Sequence, residues 1–271
     1  MPDTRPLLLI GGGRMGTALL KGWIARGLTP VVVVEPEPST DLKRVAARAR
    51  VRLARDLGAA RRSGIRACVV ALKPQVLKVE ASSLLAIARS GTTMISIAAG
   101  TTLKALTAAW GKEARIVRAM PNTPGAIGRG ISGLFASPAA TAKDRKLAES
   151  LLSALGATVW VKRESDLDSV TAVSASGPAY VFLFVEALAA AARKEGLPRD
   201  VAEQLARATI TGAGALLDSD PSAPEALRKA VTSPGGTTAA ALEVLMAREG
   251  LPSLVARAVS AARKRAKDLG R

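Results

Sequence analysis

Short apolar runs alternate with longer amphipathic segments through the first part of the chain, and after Lys162 the short runs stop. Residues 7–10, 31–34, 67–72, 93–97 and 115–120 are brief, largely β-branched and bounded by glycine, proline or polar residues, the pattern of buried strands. Between them, residues 14–26 (stopping at Gly27), 39–50 and 75–89 carry helical periodicity. Strand, helix, strand in repetition predicts a doubly wound, mostly parallel sheet. Residues 131–136 and 158–161 add two later strands flanking a helix over 142–154. Beyond them only helices are expected, over 166–173, 178–195, 199–218, 223–231, 238–249 and 254–268. Pro178, Pro198, Pro224 and Pro252 stand at or near their starts, where a missing N–H costs least. The expected organisation is an α/β Rossmann domain, 1–162, followed by an all-α domain, 163–271.

Composition narrows the chemistry. The 271 residues exceed what one core usually serves, and 48% hydrophobic with 23% charged residues is ordinary for a folded protein. Histidine is absent, which removes the usual neutral-pH base and the commonest metal ligand. Zinc hydrolysis and Ser-His-Asp chemistry are excluded, and no metal is expected. The single cysteine, Cys68, lies in an apolar run and reads as a buried strand thiol, which suits a reducing, cytoplasmic compartment. No signal peptide is expected at the N-terminus, and residues 181–192 are too short to span a bilayer and read as a core helix. A net charge of +17 favours anionic partners, but few aromatic residues exist to stack bases, so nucleic acid is not the expected partner. The basic segment 263–267 reads as a solvated helix end.

The strand at 7–10 runs into Gly11-x-Gly13-x-x-Gly16 at the start of a helix. In that context the glycines permit a tight turn, backbone approach to a pyrophosphate and helix-on-strand packing, with the phosphates at the positive helix end. Glu35 ends the second strand about 20 residues further on, where an acid binds both ribose hydroxyls of NAD. A 2′-phosphate there would meet a like charge, at a cost on the order of 4 kcal/mol per unit charge at ~4 Å before screening, so NADH is favoured over NADPH unless Lys43 or Arg44 compensates.

The chain resembles the pyrroline-5-carboxylate reductase family. The resemblance rests on the glycine loop with Met15, on Ala71-Leu72-Lys73-Pro74-Gln75, on Ser96-Ile97-Ala98-Ala99-Gly100 and on Arg118-Ala119-Met120-Pro121-Asn122-Thr123-Pro124. It continues through Ser174-Ala175-Ser176-Gly177-Pro178-Ala179-Tyr180, read as a turn, and Val231-Thr232-Ser233-Pro234-Gly235-Gly236-Thr237-Thr238. The resemblance implies that Gly11, Gly13, Arg14, Met15 and Gly16 hold the pyrophosphate, and that Ala71, Leu72, Lys73, Pro74, Ile97, Ala98 and Ala99 line the rest of the dinucleotide. Asn122 would lie near the nicotinamide or brace its own loop. Ser233, Gly235, Gly236 and Thr237 open a helix, a site suited to one small acidic group such as the substrate carboxylate, with Ser176 also on the substrate. Thr238 would set its hydroxyl against the ring nitrogen of the substrate, as the catalytic residue; its alternative is a helix N-cap.

The implied reaction is reduction of 1-pyrroline-5-carboxylate to L-proline by NADH or NADPH. It needs positioning more than acid-base chemistry, so a histidine-free chain can perform it. No lysine occurs between Arg163 and Arg193, which counts against reductases that use a lysine on a helical domain. The family implies a small imino-acid substrate and self-association through the helical domain, as a dimer or a ring of dimers. Ala175 stands where the family usually has glycine; in a left-handed backbone its Cβ would cost about 1 kcal/mol. That departure leaves open a reductase of another cyclic imino acid, and a non-catalytic dinucleotide-binding regulatory protein is the remaining alternative.

Overall fold

In a computed structural model that describes residues 5–47, 50–60 and 64–270, eight strands form one sheet in the order β3-β2-β1-β4-β5-β6-β7-β8. The first six, β1 (Leu7–Ile10), β2 (Val31–Val34), β3 (Val51–Ala54), β4 (Ala67–Val70), β5 (Thr93–Ser96) and β6 (Ile116–Met120), run parallel. β7 (Gly130–Ala136) is antiparallel to β6, and β8 (Gly156–Trp160) is parallel to β7. The chain builds outward from β1 through β2 to β3, then crosses back to place β4 on the other side of β1. That reversal is the switch point of a doubly wound sheet. The central strands are buried on both faces, as all-apolar runs require.

The helices depart from expectation in instructive ways. The expected 39–50 helix is short, α2 (Thr40–Ala46), and the missed strand β3 follows, an edge strand whose exposed Arg52 hides the apolar run; residues 48 and 49 lie outside the described ones. The expected 75–89 helix breaks into α3 (Pro74–Glu80), a 3₁₀ turn and α4 (Leu85–Arg89). A further helix, α5 (Leu103–Trp110), was not legible. α1 (Arg14–Ala25) buries Trp23, whose indole N–H donates to the Leu151 carbonyl (2.8 Å) in α6 (Ala142–Leu152).

Contacts divide the described chain after Ser176, with Gly177–Ala261 forming one unit and everything else, including the residues from Ala262 on, the other. The division falls beyond the expected boundary at 162 because α7 (Asp166–Val170) belongs to the sheet layer. Leu167 is buried, and Val170 sits so close to Gly133 on β7 that a Cβ there would lie 2.6 Å from it. Glu164 ties in two more elements, accepting from Arg118 on β6 and from the Leu103 N–H at the start of α5. The last turns of α12 (Leu251–Leu269) also belong to this unit, with Ala266 buried.

The other unit contains α8 (Gly177–Lys194), α9 (Arg199–Ser219), α10 (Pro224–Ala230), α11 (Thr237–Leu245) and the first part of α12. α8 and α9 pack through small residues, burying Ala189, Ala202 and Ala206. α8 is therefore not the core helix that its composition predicted: Phe182 and Leu183 are 62% and 64% exposed within the single chain. Pro178 stands, as expected, in the first turn of α8. α7, a π turn over Thr171–Ala175 and α8 make one 29-residue helical run, long and apolar enough to cross a membrane by length and composition, contrary to the expectation from residues 181–192 alone. Ala175 lies in this right-handed backbone, and no described non-glycine residue has positive φ, so its Cβ carries no left-handed cost.

Asp144, the N3 residue of α6, fastens that helix to the sheet. It accepts from the Thr141 N–H (2.8 Å) and hydroxyl (2.6 Å) in a capping box and from the Thr93 hydroxyl on β5, with Arg115 at 3.5 Å. Burial alone would raise its pKa, but these hydrogen bonds and the Arg115 charge outweigh burial and hold the carboxyl below its ordinary value. A depressed folded pKa means the network stabilises the protein above the ordinary aspartate value of about 3.9 and that this contribution is lost as pH falls through the lower folded value. Asp144→Asn is expected to cost roughly 1–3 kcal/mol at neutral pH, a drop of several degrees in Tm. In thermal melts from pH 7 to pH 3 the gap to wild type should narrow below about pH 4; a constant gap would contradict the assignment.

Candidate functional site

β1 passes into α1 through three glycines. Gly11 has φ 97°, and a Cβ on it would lie 2.6 Å from the Ala71 carbonyl oxygen. Gly16 closes on the same turn, its Cβ position only 2.1 Å from the Gly11 oxygen. Gly13 is different: it is exposed, and a Cβ there would meet nothing within 4 Å. The turn is tight on its inner side and open at its tip. Gly13 caps α1 without a side chain, and the first-turn N–H groups of Arg14, Met15 and Gly16 have no acceptor within the helix. Such a tip presents donors and a positive helix end to an anion.

Glu35 follows β2 directly beside this turn. Its carboxylate accepts from the Gly12 N–H (2.7 Å) and from the Glu37 N–H (3.2 Å). Of the two cations that could offset it, Arg44 is held by Asp41 (2.6 Å), which also pairs with Lys21 (2.7 Å), and Lys43 is exposed. The hydrogen bonds from Lys21 and Arg44 keep the Asp41 carboxyl below its usual range.

On the other side of β1, the Ala71 N–H donates to the Ile10 carbonyl (2.7 Å), and the Ile97 N–H to the Val70 carbonyl (3.0 Å). Ala71, Leu72, Lys73 and Pro74 therefore continue β4, and Ile97, Ala98 and Ala99 continue β5, along the same sheet edge as the glycine turn. Lys73 is the exposed N-cap of α3, with Pro74 in its first turn. The structure thus brings together Gly11, Gly13, Arg14, Met15, Gly16, Glu35, Ala71 to Pro74 and Ile97 to Ala99 at the carboxyl ends of β1, β2, β4 and β5.

Asn122 follows β6 at that edge, but its amide is committed. Its Oδ1 accepts from the Ile131 N–H (2.9 Å), and its Nδ2 donates to the Ser174 carbonyl (3.1 Å). In a continuous helix that carbonyl would accept from residue 178, but Pro178 has no N–H to give. The π turn, closed by the Ser176 N–H to the Thr171 carbonyl (2.9 Å), leaves the Ser174 oxygen to Asn122. The bond is long-range rather than the local Asx type. Two residues escaped the sequence analysis: Gly12, where a Cβ would lie 2.2 Å from Leu42, and Thr17, whose hydroxyl donates to the Gly12 carbonyl (2.8 Å). Thr17 could have been suspected from its place directly after the third glycine.

Ser176 ends the sheet-bearing unit, half-buried after the π turn. Ser233, Gly235, Gly236, Thr237 and Thr238 lie in the other unit at the start of α11. Gly235 has φ 70°, and the Gly236 N–H donates back to the Ser233 carbonyl (3.0 Å). The N-cap is Gly236, not Thr238, which sits one residue into the helix, half-buried, with no protein partner for its hydroxyl among the described residues. Capping therefore does not explain Thr238. The N–H groups of Thr237, Thr238 and Ala239 have no acceptor within the helix. Among the described residues no cluster of acidic or cysteine ligands could hold a metal.

Comparison with known proteins gives this geometry a context. Residues 164–269 match the family described as pyrroline-5-carboxylate reductase dimerisation, and residues 7–100 match NADP oxidoreductase, coenzyme F420-dependent. The chain is 35% identical over 268 residues to the pyrroline-5-carboxylate reductase of Pseudomonas aeruginosa, covering 98% of this chain and 97% of that one. A solved pyrroline-5-carboxylate reductase from Coxiella burnetii superposes with a TM-score of 0.91 at 36% identity, covering 99% and 100% of the two chains. The pyrroline carboxylate reductase of Plasmodium falciparum, solved with NADP bound, superposes with a TM-score of 0.82 at 27% identity over the full length of both. By sequence over its whole length and by fold, this chain belongs to the pyrroline-5-carboxylate reductase family, NAD(P)-dependent oxidoreductases that act on a C=N bond.

Proposed function

We propose that the chain reduces 1-pyrroline-5-carboxylate to L-proline, the last step of proline biosynthesis, in the cytoplasm. The observation that carries this reading is full-length similarity to reductases of that name, joined to a glycine turn whose only open face is Gly13. A bound reduced nicotinamide dinucleotide would supply the hydride. The free N–H groups of Arg14, Met15 and Gly16 hold its pyrophosphate, and the strand extensions at Ala71 to Pro74 and Ile97 to Ala99 line its remaining length. Asn122, its amide already spent, shapes the loop around the nicotinamide rather than gripping the ring.

The backbone of Ser233, Gly235, Gly236 and Thr237 suits the substrate carboxylate, and Ser176 is assigned to the substrate by the family resemblance. Thr238, with its hydroxyl uncommitted, donates toward the ring nitrogen as the amine forms. Holding an already electrophilic imine carbon in line with the hydride accounts for ~7 kcal/mol or more of barrier reduction without a histidine. The apolar side of α8, exposed in the single chain and within the segment matching the dimerisation family, faces a second copy; a dimer or ring of dimers assembles through it. Neither membrane nor nucleic acid is a partner in this reading.

Purified protein should oxidise NADH when 1-pyrroline-5-carboxylate is added. Oxidation only with other cyclic imines would shift the substrate, and tight NADH binding without turnover would leave a regulatory dinucleotide-binding protein. Thr238→Ala should lower kcat roughly 10- to 100-fold while NADH binding is retained; unchanged kcat would remove Thr238 from the reaction.

Cofactor choice follows from Glu35. With Arg44 engaged by Asp41, the carboxylate faces a 2′-phosphate with little compensation, and NADH is preferred. Glu35→Ser should raise the NADPH-to-NADH ratio of kcat/KM by about tenfold or more, a screened remnant of the ~4 kcal/mol per charge at close range. An unchanged ratio would defeat the assignment.

A further inference from the structure

One carboxylate oxygen in the sheet-bearing unit serves two elements at once. The Oε1 of Glu164 accepts from the Arg118 guanidinium (2.5 Å) and from the Leu103 N–H (2.5 Å). Arg118 lies on β6 beside Ser96, the last residue of β5, and Leu103 is the first residue of α5. Each stands next to a segment assigned to the cofactor. The loop from Ser96 to Leu103 carries Ile97, Ala98 and Ala99, and β6 runs on from Arg118 through Met120 to Asn122.

The surroundings leave this joint little freedom. The Arg118 side chain is 10% exposed and lines a cavity of about 30 Å³ together with Ala98, Ala99 and Gly100 from the loop and Met120 from the end of β6. That volume has room for little more than a water, so the cavity is packing between the two segments and not a ligand site. Gly100 turns the loop with φ 72°, and a Cβ there would lie 3.0 Å from the Leu269 carbonyl oxygen in the last turn of α12. At the end of the loop, Thr102 caps α5 by accepting from the Ala105 N–H (3.2 Å), and Glu164 takes up the Leu103 N–H that this cap leaves over. A guanidinium buried this far must be paired, which fixes the carboxylate, and the carboxylate in turn fixes where α5 begins.

We infer that Glu164 is a positioning residue for hydride transfer: its shared oxygen sets the spacing between the loop after β5 and the end of β6, and with it the seat of the nicotinamide. It acts through Arg118 and Leu103, not on the reactants, and the inference rests on the reductase reading for the place of the cofactor. Arg118→Met/Glu164→Met tests it, since apolar side chains of similar volume commonly replace a buried pair without loss of the fold. The glycine turn is untouched, so the double variant should bind NADH within about threefold of wild type, while its single-turnover oxidation of NADH by 1-pyrroline-5-carboxylate slows at least about tenfold, the scale of a small misplacement. The fluorescence emission of its bound NADH should shift. Glu164→Gln keeps the shared oxygen and should restore both rate and emission. If the double variant melts far below wild type, Glu164→Asp, which withdraws that oxygen by one methylene, carries the same expectation. A wild-type rate in the double variant, a loss of rate matched by an equal loss of NADH affinity, or a glutamine variant as slow as the double would overturn the inference. A wild-type protein that does not turn over the imine would instead defeat the reductase reading, and the emission of bound NADH in the same variants would then decide the inference alone.

Discussion

A strand cannot become a helix within three residues unless the backbone folds back on itself, and here it does so because Gly16 and Gly11 touch. A side chain on Gly16 would have to occupy the space of the Gly11 carbonyl oxygen, 2.1 Å away. The contact brings α1 to its start directly above the end of β1, the strand from which the sheet grows in both directions. From that placement the rest of the crevice follows. β2 delivers Glu35 to the Gly12 N–H, β4 delivers Ala71 against Gly11, and at the solvent-facing tip at Gly13 backbone donors meet open space.

A second constraint governs the far side of the crevice. Proline at 178 removes one donor from a long helix, and the helix answers with a π turn instead of an end. The carbonyl left over at Ser174 becomes the anchor for Asn122, which also holds the start of β7. One missing N–H thus shapes a loop more than fifty residues earlier in the chain. The same turn carries Ala175 in ordinary right-handed backbone, so the exchange of glycine for alanine there carries no backbone penalty.

The doubly wound sheet was legible because its strands are continuous apolar runs, which only burial on both faces explains. β3 was not, since an edge strand alternates and its arginine reads as helix surface. The π turn was illegible for another reason: proline before an apolar run is the ordinary sign of a helix start, and continuation depends on a partner, Asn122, distant in sequence. The exposure of α8 could not be read from composition, because an apolar helix has the same composition whether or not its own chain covers it. In the crevice, glycine spacing and the acid after β2 pointed to residues that the structure gathers along one edge of the sheet. The close approach at Gly12 carries no side-chain signature and was missed, while the Thr17 hydroxyl was signalled only by its place after the third glycine. At α11 the glycine pair announced a helix start, while the assignment of the cap to Gly236 depended on the backbone angles alone.

The account turns on the claim that the open tip at Gly13 is open for a dinucleotide. Gly13→Ala separates this from any structural need, since its φ of −65° suits alanine and the new methyl group meets no protein atom within 4 Å. Measured by calorimetry and NADH fluorescence titration, the variant should melt within about a degree of wild type, as surface substitutions do, while its Kd for NADH rises at least tenfold. Undiminished affinity in a normally folded variant would contradict the account.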